Sequence, residues 1–505
     1  MRSAVVLALL AVIGLAAHAS GTPSPSDVVS DPTPSDKASE WAAEQQRLHD
    51  IVLNSKQHGR DLAGLKEIIA SPAFESLPVE ERFQTLSLAA GAAKPTDEAL
   101  ARAYLDRAIA LPGIEFWDQL TNLKTAVSFK YAAGTTRSLT LLAQQWPDHL
   151  ASFDNNLILR ALSLAEHGAR GDRLSALQAL YGAHWKLKWD IEPSVYWRDL
   201  SVLLLEQGSL REAMDVSSHV KEPYILIAMR ADRRFDAIVS ADPEEFDVEA
   251  AAEQRLKILQ SLSDENPRSL ELKTRLMETL RYTRHYSAML ATSDSVVQEI
   301  HATNFPERIY DDYVERLPTF IVLRSIALQR LGRWEEAVAQ LVDGARDGNI
   351  TQLINLGYLY SALDRPKDAL AVINPLGPTR TNALGAMRVE AIRLQSAVQL
   401  GDADQVKRSL QFLSEHRADL PDAYLSSLIA AKQLDATAKY LVSELQDRDL
   451  RQNALGVIQG YAPRPGSETE RDMQARFRSV IARKEVQATI HKVGRVENYP
   501  LEADW

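Results

Sequence analysis

Paired carboxylates are the commonest arrangement in this sequence that could move protons, as at Glu244-Glu245 and Asp311-Asp312. Acid–base chemistry needs two such groups converging on one substrate, whereas neighbours on a helix point apart. These pairs therefore read as solvated acids of turns and first helical turns. The 11 histidines are scattered, and no His-x-x-x-His pair with an adjacent Glu occurs, which leaves out a zincin-type site. His184, His285 and His301 read as helix-surface or partly packed residues. With no cysteine, thiolate zinc sites, iron–sulfur clusters, disulfides and cysteine nucleophiles are excluded together. A phosphate-cradling Gly-rich loop and a Gly-x-Ser-x-Gly elbow are also missing. The expectation is a protein that is not an enzyme, with no metal and no cofactor.

What remains is recognition chemistry. Trp185, Trp189, Tyr196 and Trp197 lie close together around Pro193, and Trp185 and Trp189 are one helical turn apart. Aromatics at this density could line a surface for a peptide or a sugar, and Trp185, Trp189 and Tyr196 are the candidate binding residues. The same spacing fits a buried helical stripe. The net charge of −11 carries no basic stripe of the kind nucleic acid requires, so no nucleic-acid partner is expected. Arg230, Arg233 and Arg234 are mixed with Asp and read as solvated helix ends.

The N-terminus has the pattern of an export signal. Met1-Arg2-Ser3 brings one positive charge, Ala4 to Ala17 is unbroken apolar sequence, and Ala17-His18-Ala19 is a small-x-small cleavage site. The run is short for a bilayer span, and no later stretch suits one. The expected location is the bacterial periplasm, after cleavage at residue 19. The alternative is an uncleaved anchor in the inner membrane that faces the periplasm. Lipoprotein acylation would need a cysteine. Residues 20–37, rich in Ser, Pro and Thr, read as a flexible linker.

From about Lys37 onward apolar residues recur at three- and four-residue spacing, the period of helix. One helix is predicted from Thr96 to Leu111, with Ala99, Leu100, Ala103 and Tyr104 on its apolar face. Ser467-Glu468-Thr469-Glu470 reads as a capping box that opens a helix to about His491. Short breakers such as Gly208, Asn266-Pro267, Gly332, Asp364 and Gly401 separate helices of a few turns. Short amphipathic helices joined by tight turns predict paired-helix stacking.

Certain positions repeat. Leu353, Leu356, Gly357, Tyr360, Asp364 and Ala369 form one set, and Trp197, Leu200, Ser201, Leu204, Gly208 and Ala213 another. A third has Ser325, Leu328, Gly332, Trp334 and Ala337, with Arg324 where a Leu is usual. Tyr286 and Ala288 supply a further turn and small contact. Turns at Gly332, Asp364, Gly401 and Leu434 are 32, 37 and 33 residues apart. This resembles the tetratricopeptide repeat family, whose unit is a helical hairpin of about 34 residues. The resemblance covers roughly 190–450. It implies an all-α, right-handed superhelix of stacked antiparallel helix pairs. The expected organisation is N-terminal helical pairs over 38–190, repeats over 191–460, and a C-terminal capping helix and tail over 461–505, with Trp505 docked on the last helices.

The family implies a concave surface that holds a protein or peptide, so the expected function is a non-catalytic scaffold in the cell envelope. The alternative is an accessory subunit of exopolysaccharide or envelope export that binds glycan or an outer-membrane exporter. Soluble lytic transglycosylases place a catalytic domain after a similar solenoid, but here only residues 461–505 follow the last repeat.

Overall fold

The computed structural model describes residues 61–503 except 304, 378 and 379, together with Ala43, Gln46, Arg47 and Asp50. The expected signal peptide, the linker and the docking of Trp505 lie outside the described residues.

The chain divides into two units, at Asp118 and Gln119. The first holds α1 (Leu62–Ala70), α2 (Val79–Ala93) and α3 (Glu98–Ile109). Asp97 caps α3 by accepting from the Leu100 N–H. Its buried face is Ala101, Tyr104, Leu105 and Ala108, while Ala99 and Ala103 are exposed. The predicted helix is thus two residues shorter at each end, and its apolar stripe is rotated. The cap at Asp97 fixes which side of the first turn meets α2, and the Tyr104-Leu105 pair outweighs single alanines.

The division falls within α4 (Phe116–Ser128), and the second unit continues with α5 (Ala132–Gln145), α6 (Asn155–Ala165) and α7 (Arg170–Gly182). Next come α8 (Ser194–Glu206), α9 (Leu210–Ser217), α10 (Pro223–Ala231), α11 (Asp236–Ala241) and α12 (Val248–Glu265). The longer hairpins use α13 (Leu270–Tyr282) with α14 (Tyr286–His301), and α15 (Tyr313–Arg330) with α16 (Trp334–Gly344). They continue as α17 (Ile350–Ala362) with α18 (Pro366–Ile373), α19 (Ala383–Leu400) with α20 (Ala403–Glu415), and α21 (Pro421–Ala430) with α22 (Leu434–Gln446). The chain finishes with α23 (Arg451–Val457), α24 (Glu468–Ile481) and α25 (Lys484–Val493). Helices pack on their sequence neighbour and often on the next but one, as α13 does on both α14 and α15. This is an all-α, tetratricopeptide-like solenoid. Among the described residues β-structure is confined to two isolated bridges and one parallel pair, β1 (Gly460–Tyr461) on β2 (Asn498–Tyr499).

One device closes the hairpins. Gly208, Arg284, Gly332, Asp364, Gly401 and Lys432 all take positive φ, between 56° and 82°. The residue after each donates its N–H to the carbonyl five positions back, over 2.7–2.9 Å. This is the Schellman bond, which satisfies carbonyls that the helix end would otherwise orphan. Lys130 and His184 repeat it ahead of residue 190. The last hairpin turn accordingly lies at Lys432, two residues before the expected Leu434, which starts α22.

Five residues beyond each left-handed position comes the close helix crossing. Ala213, Ala337 and Ala369 occupy it with no exposed surface. In the hairpin of Tyr286 the equivalent residue is the buried Met289, whereas Ala288 is exposed, so the small contact expected there is displaced by one. Gly357 is required by space: a Cβ there would lie 2.8 Å from Ile373 Cγ2 and 3.2 Å from Ile392 Cδ1. Arg324, the departure from pattern, reaches across hairpins to Ser293 Oγ (2.7 Å), Asp294 (2.5 Å) and Gln340 (2.9 Å).

The capping box forms as predicted, with Glu470 N–H on Ser467 Oγ and Ser467 N–H on the Glu470 carboxylate. The helix it opens stops at Ile481 instead of running to His491. Arg483 is extended, and the break turns Val486 and Ile490 onto the core that already holds Phe477 and Val480.

Candidate functional site

The aromatic candidates do not share one surface. Trp185 is buried, 2% exposed, with its indole N–H on Asn155 Oδ1 at 3.1 Å. Its ring packs beside Tyr196 and edge-on to Trp197, at centroid distances of 5.9 and 6.2 Å. Tyr196 is half-buried, and burial pushes its hydroxyl pKa up. Trp189 stands apart, in a left-handed conformation with φ 60° between the bridged residues Leu187 and Ile191. Lys188 Nζ lies 4.2 Å from its ring centroid and Arg275 Cζ 5.8 Å. Both lie within cation–π range of the ring, which also lines a small cavity of about 170 Å³ with Ile191, Lys221 and Arg255.

Of the three arginines of the expected solvated cluster, Arg230 and Arg234 are instead part-buried in ion pairs, while Arg233 stays exposed. Arg230 pairs with Glu497 at 2.9 Å, and Arg233 donates to the His491 carbonyl at 2.9 Å. Arg234 grips the fully buried Asp232 over 2.7–3.2 Å. The physical reason is that the C-terminal segment returns onto α10: Arg495 N–H donates to the Ala231 carbonyl, and α23 packs against α10.

Beyond β2 the tail crosses α13 and α15. Glu502 has no exposed surface and accepts from Arg330 Nε and Nη2 at 3.0 and 2.9 Å. Tyr286 donates its hydroxyl to the same carboxylate at 2.8 Å. The backbone N–H of Glu502 donates to the Tyr282 carbonyl and its own carbonyl accepts from the Tyr224 hydroxyl. Pairing of the carboxylate offsets the cost of burying it, although Arg330 Nη1 stays buried without a hydrogen-bond partner among the described residues.

Between the first helices of successive hairpins and α24 lies an open space. It consists of two cavities of about 340 and 570 Å³ that share Val322, Asn355, Tyr358, Ser426, Ile429 and Phe477. Each wall is built on one spacing. Val322, Ser325, Ile326 and Gln329 come from α15, and Asn355, Tyr358, Leu359 and Ala362 from α17. Both sets follow i, i+3, i+4, i+7, the stripe one helix can turn toward a common space. Arg388 of α19 lines the larger cavity, and Arg464 the smaller, where Glu470 lies 3.5 Å from it. Burial pushes the Tyr358 hydroxyl up to about 12, so it is a hydrogen-bond donor at any physiological pH.

Sequence reasoning missed these residues because it followed the repeat positions (Leu353, Leu356, Gly357, Tyr360) and assigned nothing to the stripe beside them. The available signal was Asn355 and Tyr358, an amide and an aromatic three apart on that second stripe. Among the described residues no three His, Asp or Glu side chains stand close enough to hold a metal ion, and no helix is long and apolar enough to cross a membrane.

No family model matches the chain, and no curated protein matches it in sequence. Two solved structures show loose similarity. One is described as Naa15/Naa10 bound to HypK-THB, with 13% identity, 89% of this chain and 75% of that chain covered, and a TM-score of 0.21. The other is a circular tandem repeat protein with a novel repeat topology and enhanced subunit contact surfaces, with 15% identity, 90% and 92% covered, and a TM-score of 0.12. Likeness at that level carries no argument about what this chain binds, and the helical-repeat assignment stands on the hairpin geometry described above.

Proposed function

We propose that this chain is an exported, non-catalytic scaffold of the bacterial cell envelope that holds a protein or peptide partner on the inner stripe of its helical hairpins. The observation that supports it most is the second stripe on α15 and α17, whose amides, hydroxyls and apolar side chains line open space although the neighbouring stripe is packed. A surface of that mixed character suits peptide recognition, because apolar contacts supply affinity and amides pair with a partner's backbone. The export signal read in residues 1–19 supports the location.

The test is a photo-crosslinking amino acid placed at Asn355 or Gln395 in cells, followed by fractionation. The reading expects a discrete adduct in the periplasmic fraction, lost when the probe is moved to the exposed Lys367. Recovery of the chain in the cytosol with its N-terminus intact would sink the location, and identical adducts at all three positions would sink the surface. The glycan alternative gains no specific support from Trp189, whose ring is flanked by cations.

A further inference from the structure

The larger cavity has a chemical polarity that goes beyond a generic recognition surface. Its walls are apolar over Ile354, Leu425, Ile429, Val457 and Phe477. At one side stands Arg388, exposed and with no ion-pair partner among the described residues. Tyr358, whose hydroxyl makes no hydrogen bond among the described residues, lines the same cavity. A lone cation and a lone hydroxyl donor at the edge of apolar walls form an amphipathic site whose polar end asks for an anion. Asp422 also lines this cavity and would repel an anion close to it, so Arg388 is the lining group that favours one.

The space is also of the right kind for a small molecule. At about 570 Å³, continuous with the neighbouring 340 Å³, it falls within the usual range for small-ligand sites. α24 packs against α21 and α22 and contributes Phe477 to both cavities, so one side is walled by the chain's own helix. The geometry points to a binding site for a single-chain aliphatic carboxylate, its carboxylate on Arg388 and the Tyr358 hydroxyl and its chain along Ile354, Leu425, Ile429 and Phe477. This site shares Val322, Asn355 and Tyr358 with the stripe assigned above to a partner, but its binding is read on the purified chain with no partner present.

Calorimetric titration of the full chain with octanoate, decanoate, dodecanoate, dodecan-1-ol and dodecylamine tests it, below micelle-forming concentrations. Each added methylene should tighten binding about fourfold, the equivalent of ~0.8 kcal/mol per CH₂. Dodecylamine should bind at least about tenfold more weakly than dodecanoate. Arg388→Gln, at an exposed position that leaves the core intact, should weaken dodecanoate by about tenfold or more and leave dodecan-1-ol unchanged. Ser426→Trp, which fills the shared part of the cavities, should remove both ligands while melting as the parent does. No binding of dodecanoate, affinity that is flat with chain length, amine binding as tight as acid, or an Arg388→Gln variant indistinguishable from the parent would each overturn the assignment. The crosslinking result is independent of all four.

Discussion

Glu502 and Arg330, 172 residues apart in sequence, meet in a pair with guanidinium nitrogens at 2.9 and 3.0 Å from one carboxylate oxygen. Both are almost wholly buried, and Arg281 adds a longer contact at 3.5 Å. Removing one partner leaves the other charge buried without compensation. Glu502→Ala should therefore cost about 3–5 kcal/mol in urea denaturation. The Arg330→Ala/Glu502→Ala double variant should cost less than the two singles together, by about 0.5–3 kcal/mol. Strict additivity would mean that the pair does not form in solution.

The close approach at Gly357 makes a second quantity measurable. Gly357→Ala puts a methyl within 2.8 Å of the buried Ile373 side chain, and should lower stability by about 1–3 kcal/mol through overpacking. Trp334 is only half-buried against the same run of hairpins, so Trp334→Ala should cost about 2 kcal/mol, less than a fully buried Trp would. Thermal melts that rank Trp334→Ala above a core truncation such as Leu328→Ala would reverse this ordering.

Lys432 holds φ 56° at the end of α21, a conformation that costs an L-residue about 1–2 kcal/mol and glycine almost nothing. After the larger backbone entropy that glycine loses on folding, Lys432→Gly should raise stability by about 0.5–1 kcal/mol. Lys432→Val, β-branched and unable to adopt the turn easily, should lower it. The comparison of melting temperatures between these two variants reads the turn directly.

Glu444 gives a pH signature. Burial raises its carboxyl above the ordinary range, with Asp422 and Asp447 acting in the same direction and the Tyr440 hydroxyl opposing. The folded state thus holds the proton more tightly than the unfolded state does. Its contribution is fully present below the ordinary carboxylate pKa and is lost as pH rises through the raised one. Glu444→Gln should stabilise the protein at pH 7 and make no difference at pH 3. Stability curves of variant and parent that stay parallel across this span would show that the side chain is solvated.

The hairpins were legible in sequence because their determinants are local. Gly208, Gly332 and Gly401 advertise left-handed turns, and Gly357 and Ala369 the close crossings. Arg284, Asp364 and Lys432 fill the same conformation with ordinary side chains, and there only spacing could betray the turn. The long-range half was not legible. Nothing near Arg230, Arg233 or Glu502 announces that these residues meet segments more than 170 positions away, because pairing across the solenoid depends on accumulated curvature. The break at Ala482-Arg483 belongs to the same class, since it is set by a core that α24 and α25 share with α22. Trp185 and Trp189 have ideal helical spacing, yet the chain leaves the helix at Gly182 and sends them to different places.

An ordinary stack of helical hairpins can peel from its last member inward, one unit at a time. The parallel contact of β2 on β1, with its flanks fastened to α10 and α13, takes away the loose end at which peeling would begin. Hairpins from Pro223 to Val457 are therefore expected to melt as one cooperative block, and a pull on the C-terminus would load the clasp at Glu502 before it reached any single helix.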